Sequence, residues 1–180
     1  VVHWTIVFAP WVFSGFTFDP TRWLFVLGLI LIHELGHAAV VNALGAQAEE
    51  IELSGFGGLC RWSGAVTPIG RAAIAWGGVW AQLLVLLGAL AWSATGARPT
   101  ELWLRQLLGV ATISNAYMIA LNLVPIAPLD GAQAWPLPWL LGREARRRLT
   151  AWRNPSRAPE PLVDEGDLED PRMLEAKRIS

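Results

Sequence analysis

The amino-acid sequence predicts an all-α membrane protein, with about four transmembrane helices and a short membrane-associated strand and loop between the second and the third. Three observations carry this. Of 180 residues, 53% are hydrophobic and 16% charged, 11 are tryptophan, and mean hydropathy is +0.39, a balance foreign to an ordinary water-soluble domain. Uncharged stretches recur at lengths that suit helices crossing a bilayer. Arginines gather on one predicted side of it.

Trp23–Leu44, Ala72–Trp92 and Gln106–Leu123 are each long enough to cross about 30 Å of hydrocarbon at roughly 1.5 Å per helical residue. The last two contain no formal charge. Val1–Phe18 also lacks Asp, Glu, Lys and Arg but is interrupted by Pro10 and Gly15; it is expected to be the first span, tilted or partly interfacial. It is not a secretory signal, having neither a basic start nor a small-residue cleavage site, and the missing initiator Met points to a trimmed start.

With the N-terminus in the cytoplasm, Arg61, Arg71 and the arginines from Arg143 to Arg157 fall inside, while only Arg22, Arg98 and Arg105 fall outside. Trp23, Trp92 and Trp103 then lie at outer span ends, where an indole keeps its ring in lipid and its N–H near water. Both termini are expected in the cytoplasm of a bacterial or archaeal cell, with the protein integral to the cytoplasmic membrane.

The inner connection between the second and third spans alternates polar and apolar residues through Glu49–Ser54, then runs Gly55-Phe56-Gly57-Gly58. It reads as a short strand followed by a flexible turn. Beyond Gly142 the chain becomes Arg-rich and then acidic. The expected division is a membrane domain over residues 1–142 and a soluble, partly disordered tail over 143–180. A net charge of −1 gives no reason to expect nucleic acid. Cys60 is the only cysteine, which excludes an intrachain disulfide and a cysteine zinc cluster.

Chemistry enters at His33-Glu34-Leu35-Gly36-His37, inside the second span. At 3.6 residues per turn the two histidines leave one helix face about a turn apart and can hold one metal ion. Glu34, roughly 60° around the helix from His37, can reach a water on that metal without joining the ligand set, the position of a general base. An ionisable residue at the centre of a span costs on the order of 3 kcal/mol on insertion scales, so its presence asks for a function. Zinc supplies one: it lowers the pKa of bound water towards about 7 and polarises a carbonyl.

A catalytic zinc ion generally takes three protein ligands and leaves a fourth place open. The candidate third ligand is Asp130, which follows the fourth span on the inner side; the rivals are an ordinary Asp-Gly turn for this dipeptide and His3 as the ligand instead.

These motifs resemble the site-2 protease family, intramembrane zinc metalloproteases of the M50 type. The family's marks are HExxH in one membrane helix and N-x-x-P-x-x-x-L-D-G in a later one; here they read His33–His37 and Asn122–Gly131. The resemblance covers about Leu24 to Gly131. It implies His33, His37 and Asp130 as zinc ligands, Glu34 as base and Asn122 as a polar aid to catalysis. It also implies cleavage of a single-span membrane-protein substrate in the bilayer, and a minimal form, since PDZ-like and CBS-like domains do not fit this length.

The chain departs from the family near Gly77-Gly78, where members often carry Gly-Pro followed by Asn, so Gln82 stands where that Asn is expected. A helical substrate must expose a strand before it can be cut; the alternating Glu50–Ser54 segment, with Ile51 and Leu53, is the candidate edge for pairing with it, and Gly57 and Gly58 are expected to let the loop enter the membrane near the metal. Two readings compete with a site-2 protease. One is a non-proteolytic zinc-binding scaffold or transporter, which has no need of Glu34. The other is a prenyl-protein type of protease, which needs an acidic ligand within the last two spans, where none occurs.

Overall fold

The computed structural model describes residues 7–54 and 57–153. His3, Gly55, Phe56 and the acidic part of the tail lie outside the described residues. The architecture is mostly helical with one two-stranded antiparallel sheet.

Among the described residues, two helices are long and apolar enough to cross a membrane: α2, Pro20–Ala43, and α3, Pro68–Ala94. Each starts on the same device. Asp19 accepts the Arg22 backbone N–H at 3.1 Å and Thr67 accepts that of Gly70 at 3.1 Å, with proline at the first helical position in both. The helices cross at Gly36 and Gly77. A Cβ on Gly77 would stand 2.6 Å from the Gly36 carbonyl oxygen, so only glycine allows the backbones to approach this closely.

The other expected spans differ in detail. Residues 102–122 form one helical run in three pieces: α4, Leu102–Gly109; a π-helical turn, Val110–Ser114; and α5, Asn115–Asn122. Around the wide turn, Thr112 Oγ1 donates to the Leu108 carbonyl at 2.6 Å and Asn115 Nδ2 to that of Ala111 at 3.2 Å. In the first apolar stretch, the described part holds only α1, Phe8–Phe13. Six residues cannot cross 30 Å of hydrocarbon. This helix stops at Ser14, and Gly15 and Phe16 take positive φ. Trp23 Nε1, donating to Ser14 Oγ at 3.2 Å, then ties the turn to α2.

The sheet corrects the reading of Gly57 and Gly58 as part of a flexible turn. β1, Gln47–Ser54, pairs with β2, Gly57–Ser63, placing Leu53 opposite Gly58 and Ile51 opposite Cys60. Both strands pack on α2. The remaining described helices are α6, Gly131–Ala134, and α7, Leu137–Arg153. Helix α7 runs without a break through Gly142 and Arg143, where the sequence reading sets a boundary.

Buried polar groups and outward apolar side chains stand beside an apolar core. His33, Glu34, His37, Gln82 and Asn115 are buried among the helices, whereas Leu84, Leu87, Ile113 and Tyr117 face outwards, Leu84 with 72% of its surface exposed. Val26, Leu29, Ile30, Val110 and Met118 make the main apolar core; Val41, Val66 and Ile74 make a second one below the sheet. Trp23, Trp92 and Trp103 sit at the helix ends opposite the sheet.

Candidate metal centre

Helix α2 carries His33, Glu34 and His37 to the middle of the fold, where they are 5%, 2% and 6% exposed. The third group arrives on the loop between α5 and α6. Asp130 occupies the N-cap position of α6, yet its side chain makes no capping bond. Its Oδ2 instead lies 2.9 Å from His33 Nε2 and 3.4 Å from His37 Nε2.

Several contacts pin this loop. Trp135 Nε1 donates to the Leu123 carbonyl at 2.7 Å and Trp76 Nε1 to the Ala134 carbonyl at 2.8 Å. Gly131 packs so closely on Leu123 that a Cβ there would meet the Leu123 carbonyl oxygen at 2.5 Å. The Asp-Gly pair that reads as a surface turn is thus held against the bundle.

The histidine tautomers are fixed from behind. His37 Nδ1 donates to the Ile74 carbonyl at 2.7 Å. The Gly78 N–H also lies 3.4 Å from this nitrogen, but the carbonyl is nearer and can only accept, so it sets the proton. His33 Nδ1 lies 3.1 Å from Gln82 Oε1, to which it donates. Both Nε2 atoms are therefore bare lone pairs, and they face each other at 3.0 Å, with a carboxylate oxygen completing the group.

Three acceptors without a proton between them repel one another unless a cation sits among them. Around a tetrahedral zinc ion, ligand atoms stand roughly 3.3 Å apart; these three pairs measure 2.9, 3.0 and 3.4 Å. His33, His37 and Asp130 fit one divalent metal ion.

Glu34 stands outside this ligand set. The backbone N–H of Cys60 in β2 donates to its carboxylate, and the bare Cα of Gly58 leaves room for it, since a Cβ there would collide with the carboxyl group. Its second oxygen, Oε2, is buried and has no hydrogen-bond partner. All four groups open into a cavity of about 460 Å³, which Asn122, Leu129, Met118 and Arg71 also line.

Of the remaining expected residues, Asn122 sits at the margin, its Nδ2 3.5 Å from His33 Nε2. Gly58 lines the cavity. Gly57 pairs with Ser54 at the start of β2. Ile51 and Leu53 are not among the cavity-lining residues, and Leu53 packs on the main apolar core instead. Cys60 lines the cavity too, but burial pushes its thiol pKa up and the Glu34 charge pushes it the same way, which disfavours a thiolate ligand.

Two residues support the ligands from behind. Gln82, noted in the sequence only as standing where the family's Asn is expected, orients His33 from a fully buried position, and Asn115 Nδ2 braces the Gln82 backbone carbonyl at 2.9 Å. Sequence reading misses Asn115, whose signal is polarity inside an otherwise apolar helix. Replacing Gln82 by Leu is expected to lower metal affinity about 10–100-fold by freeing the His33 ring. Competition with a chromogenic chelator measures this, and unchanged affinity would show that the contact does not orient the ligand.

Comparisons with known proteins agree with this geometry. The chain is 32% identical over 153 residues to a Mycobacterium tuberculosis protein named as the zinc metalloprotease Rip3, the same in two strains. It is 30% identical over 125 residues to a Synechocystis protein also named as a zinc metalloprotease. These alignments take in 73% and 68% of this chain but 39% and 31% of the relatives, so the chain spans less than half the length of either. Among solved structures it superposes on the site-2 protease from Methanocaldococcus jannaschii with a TM-score of 0.58 and 20% identity, covering 85% of this chain and 67% of that one; this likeness speaks for the fold. The Peptidase M50B-like family profile matches residues 3–135, a range that includes every group of the metal centre, and the chain belongs to that family.

Proposed function

We propose that this chain is the membrane-embedded catalytic domain of an intramembrane zinc metalloprotease, which hydrolyses a peptide bond within or near a transmembrane helix of a protein substrate. The observation that carries the reading is the pairing of three grouped ligand atoms with a buried carboxylate whose second oxygen has no partner. A site that only bound zinc would need the first and not the second. Zinc, when bound, supplies Lewis-acid activation of water and of the scissile carbonyl. Glu34 takes the proton of the attacking water and returns it to the departing amine. Asn122 donates its amide to the developing oxyanion, a role supported by its place beside His33.

The substrate is a single-span membrane protein, unwound locally so that its backbone can pair with a strand. The favoured partner is β2. The Cys60 N–H points away from β1 towards Glu34, so by the period-two geometry of a strand the Gly58 backbone faces the same way. Pairing at the Gly58 backbone, with the Cys60 N–H kept by Glu34, lays the scissile bond beside the base, with Ile51, Leu53 and Gly57 holding the hairpin. Four apolar segments cross the bilayer, namely the region of α1, helices α2 and α3, and the 102–122 run. The sheet and the Asp130 loop then lie towards the cytoplasm, as do both termini, in a bacterial or archaeal cytoplasmic membrane. The acidic residues after α7 form a soluble tail.

The test is cleavage in reconstituted vesicles of a single-span substrate tagged at both ends. Two fragments are expected, with masses that put the cut in or beside the apolar segment, and their formation should stop with a chelator and resume with zinc. An intact substrate beside protein that holds one zinc ion per chain would favour a non-proteolytic scaffold.

A further inference from the structure

Outside the metal centre, α7 presents an amphipathic surface of its own. This helix carries Arg143, Arg146, Arg147, Arg148 and Arg153 against the single acid Glu144. At about 100° per residue, Leu141, Ala145, Leu149 and Trp152 fall within a sector of about 80°. All four are exposed, Leu149 at 61% and Trp152 at 83%. Leu140, Glu144, Arg147 and Ala151, half-buried, make the other side, and the helix packs on α3.

The charges have a pattern as well. Arg148 borders the apolar sector on one side, bridged to Glu144 at 2.8 Å; Arg153 and Arg146 border it on the other. Next to them, Arg143 lies 4.6 Å over the Trp139 ring. An apolar strip edged by guanidinium groups on long aliphatic stems suits a surface that is apolar below and anionic above. Arg148 already has Glu144 as a partner on its border, so the excess positive charge lies on the border of Arg146 and Arg153, beside a strip with no charge of its own. Phosphates at the level of lipid headgroups satisfy both, and arginine can hold them with two hydrogen bonds.

We propose that α7 lies in the cytoplasmic membrane interface, with Leu141, Leu149 and Trp152 in the acyl boundary and Arg146 and Arg153 on the phosphates of anionic lipids. This rests on the membrane reading of the chain given above. Because α7 follows α6 directly, such docking anchors the end of the segment that carries Asp130 to the bilayer surface.

Spin labels on single cysteines in a Cys60→Ser background of the full chain test the proposal in vesicles containing phosphatidylglycerol. The positions are Leu149 on the strip, Thr150 on the opposite side of α7, and Leu84 on the outer face of α3. Relaxation by oxygen, which concentrates in the bilayer, is compared with relaxation by a water-soluble nickel chelate. The expected result is oxygen-dominated relaxation at Leu149 and Leu84 and nickel-dominated relaxation at Thr150, with a shift towards nickel at Leu149 on adding Arg146→Gln and Arg153→Gln. Nickel access at Leu149 with Leu84 still in lipid would overturn the docking of α7 and leave the membrane reading intact; nickel access at Leu84 as well would overturn both. Dipolar broadening at Leu149 that disappears on dilution with unlabelled protein would assign the strip to a second copy of the chain. Equal depth in pure phosphatidylcholine would remove the anionic lipid from the account.

Discussion

Glu34→Gln is expected to lower substrate cleavage by about 10²–10⁴-fold, the usual contribution of a positioned general base, while metal content stays at the wild-type level. Glutamine keeps the volume that Gly58 accommodates and still offers an oxygen to the Cys60 N–H. It cannot take a proton from water. The change also removes a buried ionisable group from an apolar helix, so the fold should be no less stable, and a thermal unfolding scan in detergent should show a Tm equal to or above wild type. Cleavage within a few fold of wild type would mean that another group takes the proton.

Asp130→Ala is expected to remove most of the bound metal, and cleavage with it. The loss should exceed the about 10–100-fold expected for an outer partner such as Gln82, because a ligand itself is removed. Without the carboxylate, two bare imidazole nitrogens 3.0 Å apart remain as the only protein ligands of the group. The Trp76 and Trp135 bonds that pin the loop do not involve the Asp130 side chain, so the helices should keep their packing. His3→Ala is the control and should retain metal. Equal metal content in wild type and Asp130→Ala, measured by elemental analysis after gel filtration, would take Asp130 out of the site.

The legible parts of this protein are those whose information is local. HExxH fixes three side chains on one helix by spacing alone, and α2 and α3 follow from length and lack of charge. Asp130 needed a non-local argument, the missing third ligand, because an Asp-Gly pair by itself reads as a turn. Gln82 is a harder case: its partner His33 is 49 residues away, and nothing near Gln82 tells a buried ring-orienting amide from one that bonds a neighbouring helix. Strand β2 escaped because its two initial glycines and mixed Leu59–Trp62 sequence have low strand propensity; pairing with β1 and packing on α2 make it a strand. Helix α7 was hidden by composition. Its arginines resemble a solvated tail, whereas its spacing makes an amphipathic helix that continues across Gly142. In the first apolar stretch, Gly15 and Phe16 turn the chain after α1, a break that Pro10 and Gly15 already signal in the sequence.

Zinc K-edge X-ray absorption on protein purified without added metal reads the identity of the bound ion and its ligands together. About one zinc ion per chain is expected, with a first shell of nitrogen and oxygen near 2.0–2.1 Å, two of the ligands giving the outer-shell scattering of imidazole. A chain without zinc, or a shell containing sulfur at about 2.3 Å, for which Cys60 is the only cysteine, would contradict the zinc assignment.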